Sequence, residues 1–449
     1  MPDFRATPFF ALPLAALLAG CSVGSTIGST LGLGGSNGTS SQSTGLAVGD
    51  EPFAVKTGTA ILAQGGSAAD AVTAMFFAMS ATYPVAVGLG GGGICLISDP
   101  AKGVQEFDFL PRAAKSGGAY AVPGAVRGFY DLQSAFGTLP WQRDVAGGEA
   151  YAASGFPISH ALYARLGNAQ NSVRLDAALA AEFMNENGTP RPEGAIATNL
   201  ALSQTLAAIR LSGADGFYKG AVADELVRYS ASQNGAISAA DLADYRTTIA
   251  APRMMNQGAL SVALPNAATG AGQFAASLFT NAARSADPEG AVVAAVRQSL
   301  TSFGISTLPA DLGGTGFAAI DRNGQVATCA MTLNGAFGAG HSAGNSGVLL
   351  ANSPSTPAGV AGAFLTPLIA RDGDGRVVLA GAGAGGPNGT AAIAYALLKV
   401  AAGQQIGRPA DMRSTGAAPM VTVNVISCQN VCVALPDPGG HGLGAATSE

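Results

Sequence analysis

Residues 313–338 read GGTGFAAIDRNGQVATCAMTLNGAFG. Two apolar runs, Phe317 to Ile320 and Val326 to Leu333, flank Asp321-Arg322-Asn323-Gly324. Asn-Gly between apolar runs is the strongest short-range signal for a β-hairpin, because both residues tolerate the backbone that a two-residue turn demands. With Asn323 and Gly324 as central turn residues, Arg322 faces Gln325 and Thr315 stands directly opposite Thr332. Side chains alternate along a strand, so Asn334 joins Thr332 on that face. The expectation is an apolar hairpin with three polar side chains gathered at its open end.

The surrounding chain has 449 residues, of which 48% are hydrophobic, 11% charged and 63 glycine. It is too apolar to be disordered and long enough for one large or two ordinary cores. The net charge of −5, with no basic block, speaks against nucleic acid as a partner and for a small-molecule or peptide substrate. Only three histidines are present, His160, His341 and His441, which restricts acid–base chemistry.

Met1 to Arg5 carries one basic side chain, Phe9 to Leu18 is a short apolar run, and Leu18-Ala19-Gly20-Cys21 follows at once. The run is too short for a stable bilayer span and reads as a signal peptide over residues 1–20. Leu-Ala-Gly-Cys resembles the lipobox of bacterial lipoproteins. That resemblance implies lipidation of Cys21, anchoring by acyl chains, and export to the cell envelope. Ser22 after the cysteine points to the outer membrane. Residues 21–47 are a Gly/Ser-rich tether, and the folded body is expected over 48–449.

Along that body, Ser67-Ala68-Ala69-Asp70 has the form of a capping box and opens a buried helix that ends at Tyr83-Pro84. Gly88-Leu89-Gly90-Gly91-Gly92-Gly93 matches a dinucleotide fingerprint in letters alone. A helix precedes it and a strand follows, the reverse of what that site needs. These glycines are expected to let backbones pass closely. Arg112 follows a strand that ends in Phe107-Asp108-Phe109 and is placed to clamp a carboxylate, or to lie on the surface. Ser238-Ala239-Ala240-Asp241 reads as a second capped start. Cys428 and Cys432 suit a small disulfide in an exported protein, whereas Cys95 and Cys329 read as buried, unreactive thiols. No metal site is expected.

Two chemistries are open. Gly340-His341-Ser342-Ala343-Gly344 has the letters of a serine-hydrolase elbow, and Asp372 or Asp374 followed by His441 supplies the order of such a triad. An elbow requires a helix straight after the serine, and Gly347 to Leu350 reads as a strand instead. The alternative is an amino-terminal threonine. Its own α-amino group accepts the hydroxyl proton, so no histidine, metal or cofactor is required. Cleavage between Gly314 and Thr315 exposes such a residue, and the paired amides of Gly385-Gly386 can bind the oxyanion.

Gly314-Thr315, Asp321-x-x-Gly324, Thr332-Leu333-Asn334-x-x-Phe337-Gly338 and Ser346-Gly347-Val348-Leu349-Leu350 together resemble the start of a gamma-glutamyltransferase small subunit. Gln64 to Ala71, Gly90 to Gly93, Val122-Pro123-Gly124, Asp215 to Gly220, Asp241 to Tyr245, Gly385-Gly386 and Asp437-Pro438 follow the same family's order from Val48 onward. The resemblance implies an α+β fold, the four-layer αββα sandwich of N-terminal-nucleophile hydrolases. It implies a precursor cut autocatalytically into a large subunit ending at Gly314 and a small subunit starting at Thr315, which stay associated. Thr315 would be the nucleophile, Thr332 its contact, Asn334 and Arg112 substrate ligands, and Gly385 and Gly386 the oxyanion hole. Implied substrates are γ-glutamyl compounds such as glutathione, or related amides.

The family shows Thr-Thr-His or Thr-Ser-His where this chain has Gly314-Thr315-Gly316. Alignment without gaps from Asp321 places Gly314 at the nucleophile, and a one-residue deletion restores Thr315. Arg112 is displaced by two from the family's arginine. Ala363 and Phe364 replace its paired serines, and its acidic residue is missing from Asn352-Ser353-Pro354-Ser355. A member without catalysis, serving as an envelope binding or structural lipoprotein, is the competing expectation.

Overall fold

The computed structural model describes residues 39–41, 45–174, 176–412, 421–439 and 441–447, all within one compact unit spanning Ser36–Glu449. Cys21 and the expected signal peptide lie outside the described residues.

Two seven-stranded sheets form the centre. One contains, in spatial order, the strands Leu443–Ala446, Leu46–Gly49, Gly314–Ile320, Val326–Thr332, Gly92–Asp99, Gly103–Asp108 and Thr248–Ala250. The other runs Thr39–Ser41, Cys432–Leu435, Thr422–Ser427, Val377–Ala384, Thr366–Arg371, Leu260–Leu264 and Arg253–Gln257. Phe317, Ala319, Cys329 and Met331 of the first sheet pack into the large core shared with the helices Pro52–Ala63, Ala68–Thr82 and Ala125–Phe136. The second sheet is covered by Gly270–Ala283, Pro288–Ser302 and Pro387–Ala401. Small clusters such as Ala330, Leu365, Ala382 and Ala384 lie between the sheets. The layers are therefore αββα.

Local chemistry explains the main elements. Ser67 and Asp70 form a reciprocal capping box, as do Ser238 and Asp241. Every residue of Ala68–Thr82 is buried, which is why that helix is apolar all round rather than striped. The glycines after it let main chains touch: a Cβ on Gly92 would stand 2.2 Å from the Phe109 carbonyl oxygen.

The hairpin forms, but its register differs from the expected one. Ile320 pairs with Val326, Gly314 with Thr332 and Thr315 with Met331. The cause is Asp321. Its Oδ1 accepts from the N–H groups of Asn323 and Gln325, and its own N–H donates to the Gln325 carbonyl, so the loop spans residues 321–325 rather than Asn323-Gly324 alone. A one-residue change of pairing exchanges the two faces. Thr315 and Thr332 therefore do not share one.

A second correction concerns Cys95 and Cys329. They face each other across neighbouring strands and form a disulfide, not two separate thiols. Cys428 and Cys432 are also joined.

Candidate active site

The open end of the hairpin meets the end of a strand from the other sheet. The strand Val377–Ala384 stops at Ala384, and the helix Pro387–Ala401 starts at Pro387. Gly385 and Gly386 bridge the gap with φ of 86° and 120°, a backbone region that L side chains rarely enter. Their N–H groups thus sit beyond the sheet ladder and at a helix N-terminus, where the dipole favours negative charge. A Cβ on Gly314 would lie 3.0 Å from the Gly385 nitrogen. The residue aimed at the amide pair is Gly314, which carries no side chain.

Thr332 and Asn334 complete this cradle. The Thr332 hydroxyl donates to the Leu312 carbonyl at 3.1 Å and accepts from the Asn334 N–H at 2.8 Å. Asn334 has φ of 54°; its Nδ2 donates to the Asn352 carbonyl, and its buried Oδ1 meets no donor among the described residues. The Gly335 N–H donates to Leu312, and the Leu333 N–H to Gly313. Residues 312–314 of the uncut chain therefore lie along Thr332 to Gly335.

Thr315 leaves the strand on the other face and enters a buried polar network. Its Oγ1 donates to Asp50 Oδ2 at 2.5 Å. Asp50 follows the strand Leu46–Gly49, and its Oδ1 accepts from Asn424 Nδ2 at 2.8 Å; the same Nδ2 donates to the Gly316 carbonyl. Burial pushes the Asp50 pKa above its ordinary value, against the opposing pull of the Asn424 and Thr315 hydrogen bonds and the Arg165 charge. Arg165, 4% exposed, clasps Asp311 through Nε and Nη2. Its Nη1 donates to the Gly314 carbonyl at 3.3 Å. Burial alone would lower the Arg165 pKa, but Asp311 and Tyr83 more than offset it, and the guanidinium stays charged.

The other expected residues are more scattered. Arg112 donates to Thr248 Oγ1 and lies over the Tyr245 ring. Ser342 lines a separate cavity with Ser80, Glu182, Asn199 and Leu349. A bridge to Leu349 and a short 3-10 turn, Gly344–Ser346, follow it rather than a helix. Asp372 and Asp374 pair with Arg376, and the His441 ring packs against His160. No serine-hydrolase triad is assembled from these groups. Among the described residues no cluster of three His, Cys, Asp or Glu side chains could hold a metal ion.

The family model described as Gamma-glutamyltranspeptidase matches residues 54–285. The chain belongs to the gamma-glutamyltranspeptidase family. Glutathione hydrolase 2 of Arabidopsis thaliana is 30% identical over 224 residues, covering 46% of this chain and 39% of that protein. The glutathione hydrolase proenzyme of Pseudomonas sp. (strain A14) is 31% identical over 229 residues, covering 46% and 40%. Acylase ACY 1 proenzyme of Pseudomonas sp. (strain SE83) is 30% identical over 240 residues, covering 47% and 43%. The chain thus spans 39–43% of the length of these relatives. Among solved structures, the cephalosporin acylase from Bacillus halodurans superposes with a TM-score of 0.74 at 16% identity, covering 93% of this chain and 98% of that one. The gamma-glutamyltranspeptidase of Helicobacter pylori gives 0.51 at 23% identity, covering 57% and 81%. These likenesses carry the N-terminal-nucleophile hydrolase fold.

The matched residues 54–285 of this gamma-glutamyltranspeptidase-family chain end before the hairpin. Asp50, Arg165, Asp311 and Asn424 were not picked out from sequence. Arg165 did leave a signal. It falls on the stripe of Leu162, Leu166, Ala169 and Val173, all buried, and a cation on a buried stripe needs a partner. Asp50 and Asn424 carry no comparable mark, since their meeting joins strands from different sheets.

Proposed function

We propose that this chain is a self-processing amide hydrolase or acyltransferase acting on γ-glutamyl compounds such as glutathione, or on related amides. Cutting between Gly314 and Thr315 frees a threonine nucleophile and leaves two associated subunits. One observation carries the reading: residues 312–314 lie along Thr332 to Gly335, Gly314 is aimed at the Gly385 amide, and the next residue is a threonine whose hydroxyl meets a carboxylate. The uncut chain fills a place that a substrate acyl group would take. After cleavage, turnover requires the new chain end to rotate about Gly316 so that the Thr315 hydroxyl reaches the Gly385 and Gly386 amides. Glycine permits that rotation. Kinship with glutathione hydrolases and an acylase supports the substrate class.

A second reading has its own observation. Gly314, not Thr315, stands opposite Thr332, so the strand position beside the amide pair brings no hydroxyl. On that reading the chain keeps the fold and the cradle and binds without catalysis. A denaturing gel with N-terminal sequencing, together with a glutathione hydrolysis assay, separates the two. Fragments starting at Thr315 and activity abolished in Thr315→Ala are expected for the enzyme. A whole, inactive chain overturns it.

The protein is further proposed to be exported and held at the envelope by acyl chains on Cys21. The two disulfides support an oxidising compartment. Incorporation of a labelled fatty acid that disappears in Cys21→Ala is the expected result, and equal labelling of that variant overturns the anchor.

A further inference from the structure

The peptide bond between Gly314 and Thr315 is held by buried groups on both sides. On the acyl side, Asp311 Oδ1 accepts from the Gly313 N–H at 2.7 Å while the same carboxylate fixes Arg165. Arg165 Nη1 points at the Gly314 carbonyl oxygen. On the amine side, Asn424 Nδ2 binds both Asp50 and the Gly316 carbonyl. Asp50 Oδ2 in turn holds the Thr315 hydroxyl. A hydroxyl, a carboxylate bonded to it and a cationic donor on the carbonyl oxygen are thus gathered around one peptide bond, the set of groups that acyl transfer uses.

Resting on the proposal that the chain cuts itself, we infer that Asp50 and Arg165 are the catalytic residues of the cut: Asp50 as the base for Thr315, Arg165 as the donor to the Gly314 carbonyl oxygen. The Thr315 Oγ1 attacks the Gly314 carbonyl carbon and passes its proton to Asp50. The carbonyl electron pair moves onto oxygen, facing the guanidinium. Collapse breaks the bond to the Thr315 nitrogen, which takes the proton back from Asp50. The Gly314 acyl group is then an ester on Oγ1. One water hydrolyses it to the Gly314 carboxylate and regenerates the hydroxyl beside a free amine.

Neighbouring elements prepare this arrangement. Glu51 accepts from the Ser159 hydroxyl, and Ser159 accepts from the Leu162 N–H at the start of the helix His160–Val173 that carries Arg165. The dipeptide Asp50-Glu51 therefore connects the base to the helix that carries the carbonyl donor. The ionisable groups around Asp50 are Arg165, Glu51, whose pKa burial pushes up to about 8, and Tyr83, which is raised by burial.

The test follows fragment formation in freshly synthesised full-length chain as a function of pH, for wild type, Asp50→Asn, Arg165→Lys and Glu51→Gln, with and without hydroxylamine. Expected is a wild-type rate that rises with pH as Asp50 ionises, and a large fragment that carries a C-terminal hydroxamate when hydroxylamine traps the ester. Asp50→Asn should cut roughly 100-fold more slowly with a flat profile, and Arg165→Lys at least about 10-fold more slowly. Glu51→Gln should keep the rising profile. Circular dichroism and thermal unfolding identify any variant that loses its fold, and the wild-type profile does not depend on the variants. Wild-type and Asp50→Asn chains cutting at equal rates, or a flat wild-type profile, overturn the inference alone. A wild-type chain that never cuts overturns it together with the reading beneath it.

Discussion

The two faces of the strand Gly314–Ile320 are built from different material. Toward the helices it presents Phe317 and Ala319, with Cys329 and Met331 beside them, and Phe317 stacks with Phe129 at 6.4 Å between ring centroids. Toward the second sheet it presents Gly314, Gly316 and Ala318, and a Cβ on Gly316 would come within 2.7 Å of Ala382. The first face is a core made of side chains. The second is so bare that main chain meets main chain, and the amides of Gly385 and Gly386 come within reach of the strand. Thr315 belongs by alternation to the first face and the cradle to the second. The same strand therefore brings bare backbone to the Gly385 and Gly386 amides and, one residue on, sends a hydroxyl to the opposite side.

The heaviest blow to this contrast falls on the side-chain face. Phe317→Ala should cost about 3–5 kcal/mol of folding stability, because a fully buried ring cannot be replaced by collapse of the surrounding core; urea unfolding measures it. A loss under about 1 kcal/mol would mean that the face is not a packed core.

Next comes the disulfide on that face. Cys95 and Cys329 lie on either side of the Gly314–Thr315 bond, so the two pieces of a cut chain should run as one band without reductant and as two with it. The double replacement Cys95→Ala/Cys329→Ala should separate them in denaturant alone and lower stability by about 2–4 kcal/mol.

The bare face is probed by Gly314→Thr. The new Cβ stands 3.0 Å from Gly385 N, so its neighbours must give by a few tenths of an ångström. Where the strand position beside the amides is the nucleophile's, as on the second reading, the variant should be cut before residue 314 rather than after it, and the new hydroxyl should raise glutathione hydrolysis roughly 100-fold, about 2.7 kcal/mol of barrier. No gain and no fragment starting at residue 314, with the fold intact, would show that a hydroxyl at this strand position is not what the cradle lacks.

The smallest effect is expected deep in the helical layer. Asp144, on the helix Trp141–Ser154, is buried with no donor among the described residues, and burial followed by the charge of Asp70 pushes its pKa up to about 9. Both carboxylates are acceptors when ionised, so only a protonated Asp144 can donate to Asp70. Between the ordinary value of 3.8 and about 9 the native chain binds more protons than the unfolded one, and stability falls as pH rises through that window. Asp144→Asn removes this loss. Its advantage over wild type should grow with pH to about 1 kcal/mol or more, measured by unfolding across the window. A constant difference would mean that Asp144 is ionised in the fold.

Much of the architecture was legible because it is local. The capping boxes at Ser67 and Ser238 depend on residues three apart, and the hairpin on apolar runs around a turn. The glycines at 90–93 and 385–386 mark places where a Cβ has no room or the backbone turns left-handed. The site was legible only in part. Thr332, Asn334, Gly385 and Gly386 converge, whereas Arg112 is engaged by Thr248 and Tyr245, and the pairing of Cys95 with Cys329 depends on two strands far apart in sequence.

What the amino-acid sequence determined by itself was the set of parts: a hairpin of buried strands, two capped helices, a glycine pair and a threonine after a glycine. What tertiary structure decided was which way the threonine points. Its direction depends on a loop that Asp321 closes with hydrogen bonds to Asn323 and Gln325 and anchors to the Ala68 N–H. A strand has a repeat of two, so that single residue of pairing sends the hydroxyl to Asp50 and leaves Gly314 at the amides.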